Sequence, residues 1–567
     1  MSLDPTTPAQ GLAAREGRTT WAAVVVLAAL ATACCSPLAA PGWFASHESI
    51  RPIARALAAY HEVAAGDPYP RWVQDAYFGK GAPLFDFYPP AFSFLVAWAH
   101  ALGVPLLLAA KGILFLLFVA GAVGLFRWVR PHLGHYPALV AAILYLFAPY
   151  HFVDLYVRGA VAEFTSLAAF PWLFLAIDRL VGGSSSRGFA ALALSSAAIV
   201  LSHFLGALMI APFAVAYAVV GAAHTKAAWR ALGRVAAGAS LGAALSAFFW
   251  LPALAERSAL SPERLERSVT GYYTPQEHFV LPAQWLDPAW GFGPSAFEGF
   301  PDGMSFQVGL LLLGAVAASL ALLRWFAKAD RRFVLLSVAM GAAALWLTTA
   351  SSSPFYAGGP LRWVQFPWRF LGPATLFLAA AGAGFARPLA AARAWAGPAV
   401  AAATAVLALA VSAPQRTVEG TIPLADDRVA IEAAVAEDPW SARFGNEDEF
   451  LPRDGNVVSS FMMRGGATLG GLGVKADFVQ ANRLDVTFGV SAPDGEGVAY
   501  VPWYQFPGWK VTLDGREWSF VPGPEGILAF RVPEGSHVAR VYFGTTPVRV
   551  AGWGLAALGL LALGALR

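Results

Sequence analysis

HESIRPIARALAAYHEVAAGDPYPRWVQDAYFGKGAPLFDFYPP (residues 47–90) separates two strongly apolar runs and fills the gap with acids, histidines, arginines and aromatics. A polar insert of this kind at a membrane edge is a place where chemistry on a lipid-borne substrate can occur. Whether the flanking runs cross a bilayer therefore decides the fold.

Composition supports crossing. Of 567 residues, 57% are apolar and only 13% charged, with a mean hydropathy of +0.55. A soluble chain carries about 25% charged residues, so this is an integral membrane protein. The net charge of +3 gives no reason to expect nucleic acid. Cys34 and Cys35 are adjacent, which excludes a disulfide framework and a cysteine metal cluster. Arg15 and Arg18 before a run ending ATACC resemble a lipoprotein signal. Ala31, however, stands where a large aliphatic belongs, and many apolar runs follow, so a retained anchor is expected.

Basic residues set the expected topology. Trp21–Ala40 crosses with Arg15 and Arg18 on the cytoplasmic side, so the loop from Pro41 faces outward. Residues 91–102 form a short apolar piece carrying His100; if they crossed, Arg127 and Arg130 would face outward. The positive-inside bias instead makes 91–102 a helix in the outer interface, begun by Pro89 and Pro90, and residues 106–126 the next crossing. Further crossings are expected at 137–150, 164–180, 188–201, 204–222, 235–254, 308–323, 333–350, 370–385 and 397–412, with external loops at 151–163 and 256–307. Lys111 is the charge left inside a predicted span.

Residues 413–549 have soluble composition, and from Asn482 the runs RLDVTFGV, GVAYVPWY, GWKVTLDG, GILAFRV and HVARVYFG alternate as strands of an antiparallel sandwich do. The expected fold is a mainly α polytopic membrane protein of about twelve transmembrane helices. Residues 1–412 make the membrane domain with an external catalytic loop at 41–105, and 413–549 an extracytoplasmic domain, β-sandwich-like from about 482. Residues 550–567 close the chain as a last transmembrane helix.

The outward loops collect the ionisable residues. Glu48, Arg51 and Arg55 share one helical face, and Glu48 lies just past a span, where a shielded carboxylate can act as a base beside His47. Asp154 and Arg158 are spaced for a local ion pair, while Asp154 or Glu163 can serve a divalent cation and Arg158 a phosphate. Arg362, Gln365 and Arg369 sit among the tryptophans of RWVQFPWRF; guanidinium forks suit phosphate oxygens or anchor to lipid headgroups. Lys80 joins them as a donor-binding residue, and Arg71, Asp86 and Tyr88 as cavity residues. His203 ends a span and reads as an interfacial histidine. No GxxxxGK[ST] or HExxH occurs, so no nucleotide cofactor or metalloprotease centre is evident.

An acid just after the first span, a YPP motif opening a non-crossing helix and an acid-bearing second loop resemble the GT-C superfamily of polyprenyl-phosphate-dependent glycosyltransferases. More narrowly, DPYPRW, GKGAPLFDFYPP, YVRGAVAE, QFPWRF and FPGWKVTLDG are similar to bacterial membrane proteins called "6-pyruvoyl-tetrahydropterin synthase-related" and to YfhO-type proteins. The label implies no pterin chemistry in these residues.

The resemblance implies an outward site beneath the first loop, with Glu48 (catalytic, with His47) deprotonating an acceptor. Arg158, Arg362, Arg369 and Lys80 would hold the donor phosphate, and Asp154 and Glu163 would optionally ligate Mg or Mn. The family acid is usually an aspartate in an acidic pair; here the pair is His47-Glu48. The implied partners are the bilayer of a plasma (inner) membrane, a polyprenyl-phosphate sugar and an extracytoplasmic glycan, lipid or protein acceptor. A transporter of lipid or polysaccharide, or a non-catalytic assembly protein, is the alternative. The aromatics Trp503, Tyr504, Phe506 and Trp509 read as sandwich core or as sugar-stacking surface.

Overall fold

Runs of Ala, Leu, Val and Phe give long helices, three of which run on through an internal proline at Pro131, Pro171 and Pro212. In the computed structural model, residues 7–183, 186–295, 302–437, 448–456 and 470–566 are described. Six helices there are long and apolar enough to cross a bilayer: Leu106–Leu133, His135–Val157, Val161–Val181, Phe204–Ala222, Pro367–Ala392 and Pro547–Ala565. The pair Ala228–Leu245 and Ala247–Ala255, bent by 73° at Ser246, is a broken span or a re-entrant loop. The expected dozen is therefore not met by helix length.

Several apolar runs yield only short helices: Thr19–Cys34, Ser186–Ser202, Leu310–Ala321 and Ala396–Val411. Leu310–Ala321 starts at Gly309 (φ +98°) and rises only about 18 Å, against a hydrocarbon core of about 30 Å. Ala91–Ala101, capped by Pro90, is shorter still.

The expected external loop at 151–163 is corrected. Helix His135–Val157 is wholly buried and runs on through Pro149–Phe152 into a π-helical turn, Val153–Val157, in which Arg158 N–H donates to Val153 O at 2.9 Å. Only residues 158–160 separate it from Val161–Val181. The apolar HFVDLYV packs inside the bundle, where backbone groups must be satisfied within the helix.

The polar insert is a folded wedge. Strand β1 (Trp43–Phe44) pairs antiparallel with β2 (Thr421–Ile422), and the amphipathic helix Arg51–Ala64 follows. Beyond it, Trp72, Tyr77 and Phe85 are fully buried against the C-terminal domain, and Trp72 meets Trp509 edge-on at 5.4 Å. Each such aromatic, fully buried, stabilises the docking by about 1.5–3 kcal/mol.

That domain is a sandwich of two antiparallel sheets. Its strands are β3 (Gly470–Leu472), β4 (Lys475–Asn482), β5 (Asp485–Ala492), β6 (Gly497–Tyr504), β7 (Trp509–Leu513), β8 (Arg516–Trp518), β9 (Phe520–Pro522), β10 (Ile527–Val532) and β11 (Gly535–Phe543). The sheets run β3-β6-β10-β9 and β4-β5-β11-β7-β8. Strands thus begin at Gly470, ahead of the expected Asn482. The alternation in β5 buries Val486, Phe488 and Val490 against Val501 and Phe530 of the facing sheet. Trp503, Tyr504, Phe506 and Trp509 are buried in this core, which removes them as a sugar-stacking surface.

Candidate active site

The first loop reaches the short break after the π-turn through two backbone hydrogen bonds. His47 N–H donates to Val157 O at 2.9 Å and Glu48 N–H to Arg158 O at 3.1 Å. Gly159 permits this approach: its φ is +70°, and a Cβ there would press on Ser46 Oγ and lie 3.0 Å from Glu48 Cβ. Ser49, with φ +50°, then turns the chain into helix Arg51–Ala64. Glu48 thus precedes the helix whose face it was expected to share, yet both arginines still reach it. Arg55 Nη1 donates to Glu48 Oε2 at 3.1 Å, and Arg51 Nε lies 3.6 Å from the same oxygen.

Burial pushes the Glu48 carboxyl up, but Arg55 and Arg51 outweigh it, so its pKa lies below the ordinary value. The group is a carboxylate at neutral pH and available to accept a proton. Arg55 also donates to Tyr88 Oη at 2.8 Å and covers the Tyr88 ring at 4.1 Å. His47 Nε2 meets Phe292 O at 2.8 Å, and burial lowers its pKa. The imidazole is therefore neutral and spends a proton on that carbonyl.

Within the bundle, Arg158 Nη1 donates to Asp154 and, at 2.9 Å, to Glu163 Oε2, while Tyr150 Oη donates to Glu163 Oε1 at 2.6 Å. Arg369 Nε lies 3.4 Å from Glu163 Oε2. Arg158 also stacks over Trp368, 4.5 Å from the ring centre.

The QFPWR motif supplies Arg369 from a strained turn. Gln365 has φ 65° and ψ −55°, and Phe366 N–H donates to Val364 O at 2.6 Å, which is the rarer, strained form of γ-turn. Gln365 Oε1 accepts from Arg369 at 3.2 Å and its Nε2 donates to Ser268 O. Strain of this kind persists where surrounding contacts fix it, often at functional sites.

These groups open on one cavity of about 370 Å³ at the junction of bundle and β domain. Glu48, Arg55, Tyr88, Arg158, Glu163, His203, Gln365, Arg369 and Glu449 all line it. Three arginines and three glutamates in one cavity make a site that can hold an anion and a proton acceptor together. Leu205 lines it, and two residues further along the same helix Ala207 lines a separate apolar groove of about 480 Å³, walled by Leu173, Ile199 and Val235.

Other expected site residues lie elsewhere. Arg71 and Asp86 belong to a buried ion network instead of the cavity: Arg71 Nη1 bonds Asp86 Oδ1 at 2.5 Å, and Arg549 Nη2 bonds Asp86 Oδ2 at 2.8 Å and Glu256 Oε2 at 2.7 Å. A dehydrated Asp86 needs both cations, which draws it from the loop surface to the last helix. Lys80 packs on the β domain, over Tyr504 at 5.6 Å and 3.9 Å from Glu525; burial lowers its pKa. Arg362 does not line the cavity and pairs with Glu266 at 2.5 Å, both substantially exposed.

The acids do not fit a divalent cation as arranged. Asp154 Oδ1 and Glu163 Oε2 are given to Arg158, and Glu163 Oε1 to Tyr150, which leaves Asp154 Oδ2 as the unbonded oxygen of the two side chains. Among the described residues no group of three His, Cys, Asp or Glu side chains is placed to hold a metal.

Residues 85–418 match the family described as 6-pyruvoyl-tetrahydropterin synthase related domain, membrane protein. The chain belongs to this family. No curated protein matches it. Solved structures of the arabinofuranosyltransferase AftD from mycobacteria are similar at 19% identity with a TM-score of 0.43, covering 70% of this chain and 26% of that one. A mutant of the same protein gives a TM-score of 0.42 over 70% of this chain and 27% of that one. The chain thus spans about a quarter of the length of those proteins.

Sequence reasoning treated Arg55 as part of an amphipathic face, His203 as interfacial, and passed over Glu449, Glu256 and Arg549. Arg549 carried a readable signal: an arginine in the first turn of an apolar helix needs a buried partner. Glu449, in an irregular stretch, carried none.

Proposed function

We propose that this protein is a GT-C-type glycosyltransferase that moves a sugar from a polyprenyl-phosphate donor to an acceptor on the face carrying the β domain, taken as extracytoplasmic in a plasma (inner) membrane. The observation that carries the proposal is the shared cavity in which the ionised Glu48 stands opposite Arg158 and Arg369. Family membership and the motifs quoted above support it. The apolar groove that shares helix Phe204–Ala222 with the cavity supports an isoprenoid chain, since a flexible hydrocarbon gains by leaving water for such a wall.

In this reading the acceptor hydroxyl gives its proton to Glu48 as its oxygen forms a bond to the anomeric carbon. The bond from that carbon to the phosphate oxygen breaks, and its electron pair leaves with the polyprenyl phosphate. Arg158 and Arg369 stabilise the charge that grows on that oxygen, and Glu48 returns its proton to water. Each contribution is of a kind that supplies roughly 10²–10⁴-fold. No metal step is invoked. The low pKa of Glu48 makes it a weak base but one ionised over the physiological range.

Glu48→Gln tests the reading. In a purified transfer assay with radiolabelled polyprenyl-phosphate sugars, turnover should fall by roughly 10²–10⁴-fold. Unchanged transfer by a well-folded variant refutes the role of Glu48.

A further inference from the structure

We infer that Glu449 and Phe450 form an acceptor subsite selecting an uncharged, hydroxyl-rich ring, an inference that rests on the transferase reading and names its acceptor class. Both residues belong to the C-terminal region yet line the cavity, half-buried, facing Phe87, Tyr88 and Pro89 of the first loop.

The strip that bears them is pinned on several sides. Leu451 is fully buried in the core shared with the β domain. Leu260 and Pro452 form a bridge, and Arg453 N–H donates to Ala259 O at 2.9 Å. Gly455 O accepts from Arg264 at 2.9 Å and Asn456 O from Tyr504 Oη at 2.8 Å. A site on so fixed a support loses little entropy when it binds.

Its position and chemistry then give the ligand. Glu449 acts electrostatically on Arg55, the residue that holds Glu48, so it lies on the side where the acceptor hydroxyl must meet its base. The phosphate-binding arginines Arg158 and Arg369 are bonded to Glu163. A further carboxylate in the cavity that Glu48 lines repels an anionic acceptor and accepts short, charge-assisted hydrogen bonds from hydroxyls. Phe450 meets Tyr88 edge-on, with centroids 6.1 Å apart, and the Tyr88 ring is capped by Arg55. Aromatic walls with a few placed polar groups suit the apolar face of a sugar ring. Lipid and peptide acceptors offer too few hydroxyls to use both features.

The test uses the purified full chain in nanodiscs and saturation-transfer NMR with methyl glycosides of neutral hexoses and pentoses. A methyl uronide and a serine-rich peptide serve as comparators. Neutral glycosides should bind, and Glu449→Gln and Phe450→Ala should each weaken them by about fivefold or more, the scale of one lost anchor. Phe450→Tyr should retain affinity, and Glu449→Gln should narrow the preference for neutral glycoside over uronide, which a merely structural role would not do. No glycoside binding by the wild type, wild-type affinity in both Glu449→Gln and Phe450→Ala, or preference for the peptide overturns the inference. Polyprenyl phosphate binding is measured in parallel. If it fails while glycosides bind through Glu449, the transferase reading falls and the carbohydrate subsite stands.

Discussion

Gly159→Ala tests the junction that brings the first loop to the bundle. At φ +70° an alanine carries the left-handed penalty of about 1–2 kcal/mol. Its Cβ also presses on Ser46 Oγ and lies 3.0 Å from Glu48 Cβ, an overpacking of the kind that costs roughly 1–3 kcal/mol. Together these predict a loss of roughly 2–5 kcal/mol.

The two parts can be separated. Among the described residues Ser46 Oγ is buried without a hydrogen-bond partner, so Ser46→Gly forfeits no bond there. In the Gly159→Ala background it should restore the steric part, less roughly 0.5–1 kcal/mol for the added chain freedom. The backbone penalty should persist. Equilibrium unfolding in mixed detergent micelles, followed by tryptophan fluorescence, measures each corner of the cycle. Wild-type stability in Gly159→Ala, or no recovery in the double variant, would refute the close approach. Glu48 hangs on the same junction, so transfer should fall further than stability, because misplacing a reacting group by about 1 Å costs roughly 10²-fold.

Arg158→Leu should destabilise by roughly 3–5 kcal/mol in the same unfolding assay, since it strands the buried Asp154 and removes one of the two arginines on Glu163, and adding Asp154→Asn should recover part of that loss. Arg549→Met should cost a similar amount, roughly 3–5 kcal/mol, by removing the cation that Glu256 and Asp86 share and leaving Asp86 to Arg71. It should also loosen the β domain, read as faster proteolysis near residues 66–83, while leaving the cavity residues in place. Glu48 favours the folded state as a carboxylate, so its contribution is present above the ordinary glutamate value of 4.5 and lost as pH falls through its lower folded value. Comparing acid unfolding of wild type and Glu48→Gln should therefore show the difference above pH 4.5 and its disappearance below. The pH–rate profile should likewise show no acidic limb from Glu48 between pH 5 and 8, roughly the physiological range.

Much of the chain was legible as sequence. Its 57% apolar content and sparse charge announced a membrane protein. The prolines of FDFYPP marked the start of helix Ala91–Ala101, because proline suits a first turn and cannot continue a helix backward. The alternation from RLDVTFGV onward marked β5, β6, β7, β10 and β11 but not the short β8 and β9, because period-two burial is a local property of a strand on a core. The ionisable residues of HES, YVRGAVAE and QFPWR were visible as anomalies for the same local reason: charge beside apolar runs is costly.

Asp154 and Arg158 pair at the spacing the sequence shows, but which charges from separate segments meet was decided by packing. Glu48, Glu163 and Arg369 share a cavity only because a positive-φ glycine lets one loop touch the next and a strained turn at Gln365 aims an arginine inward. Asp86 and Arg71, equally conspicuous in sequence, are claimed by Arg549 from the last helix. Glu449 enters from a stretch with no pattern at all. Helix and strand follow from neighbours a few residues apart. A buried ion chooses its partner by desolvation and reach across the whole fold, and no local spacing records that choice.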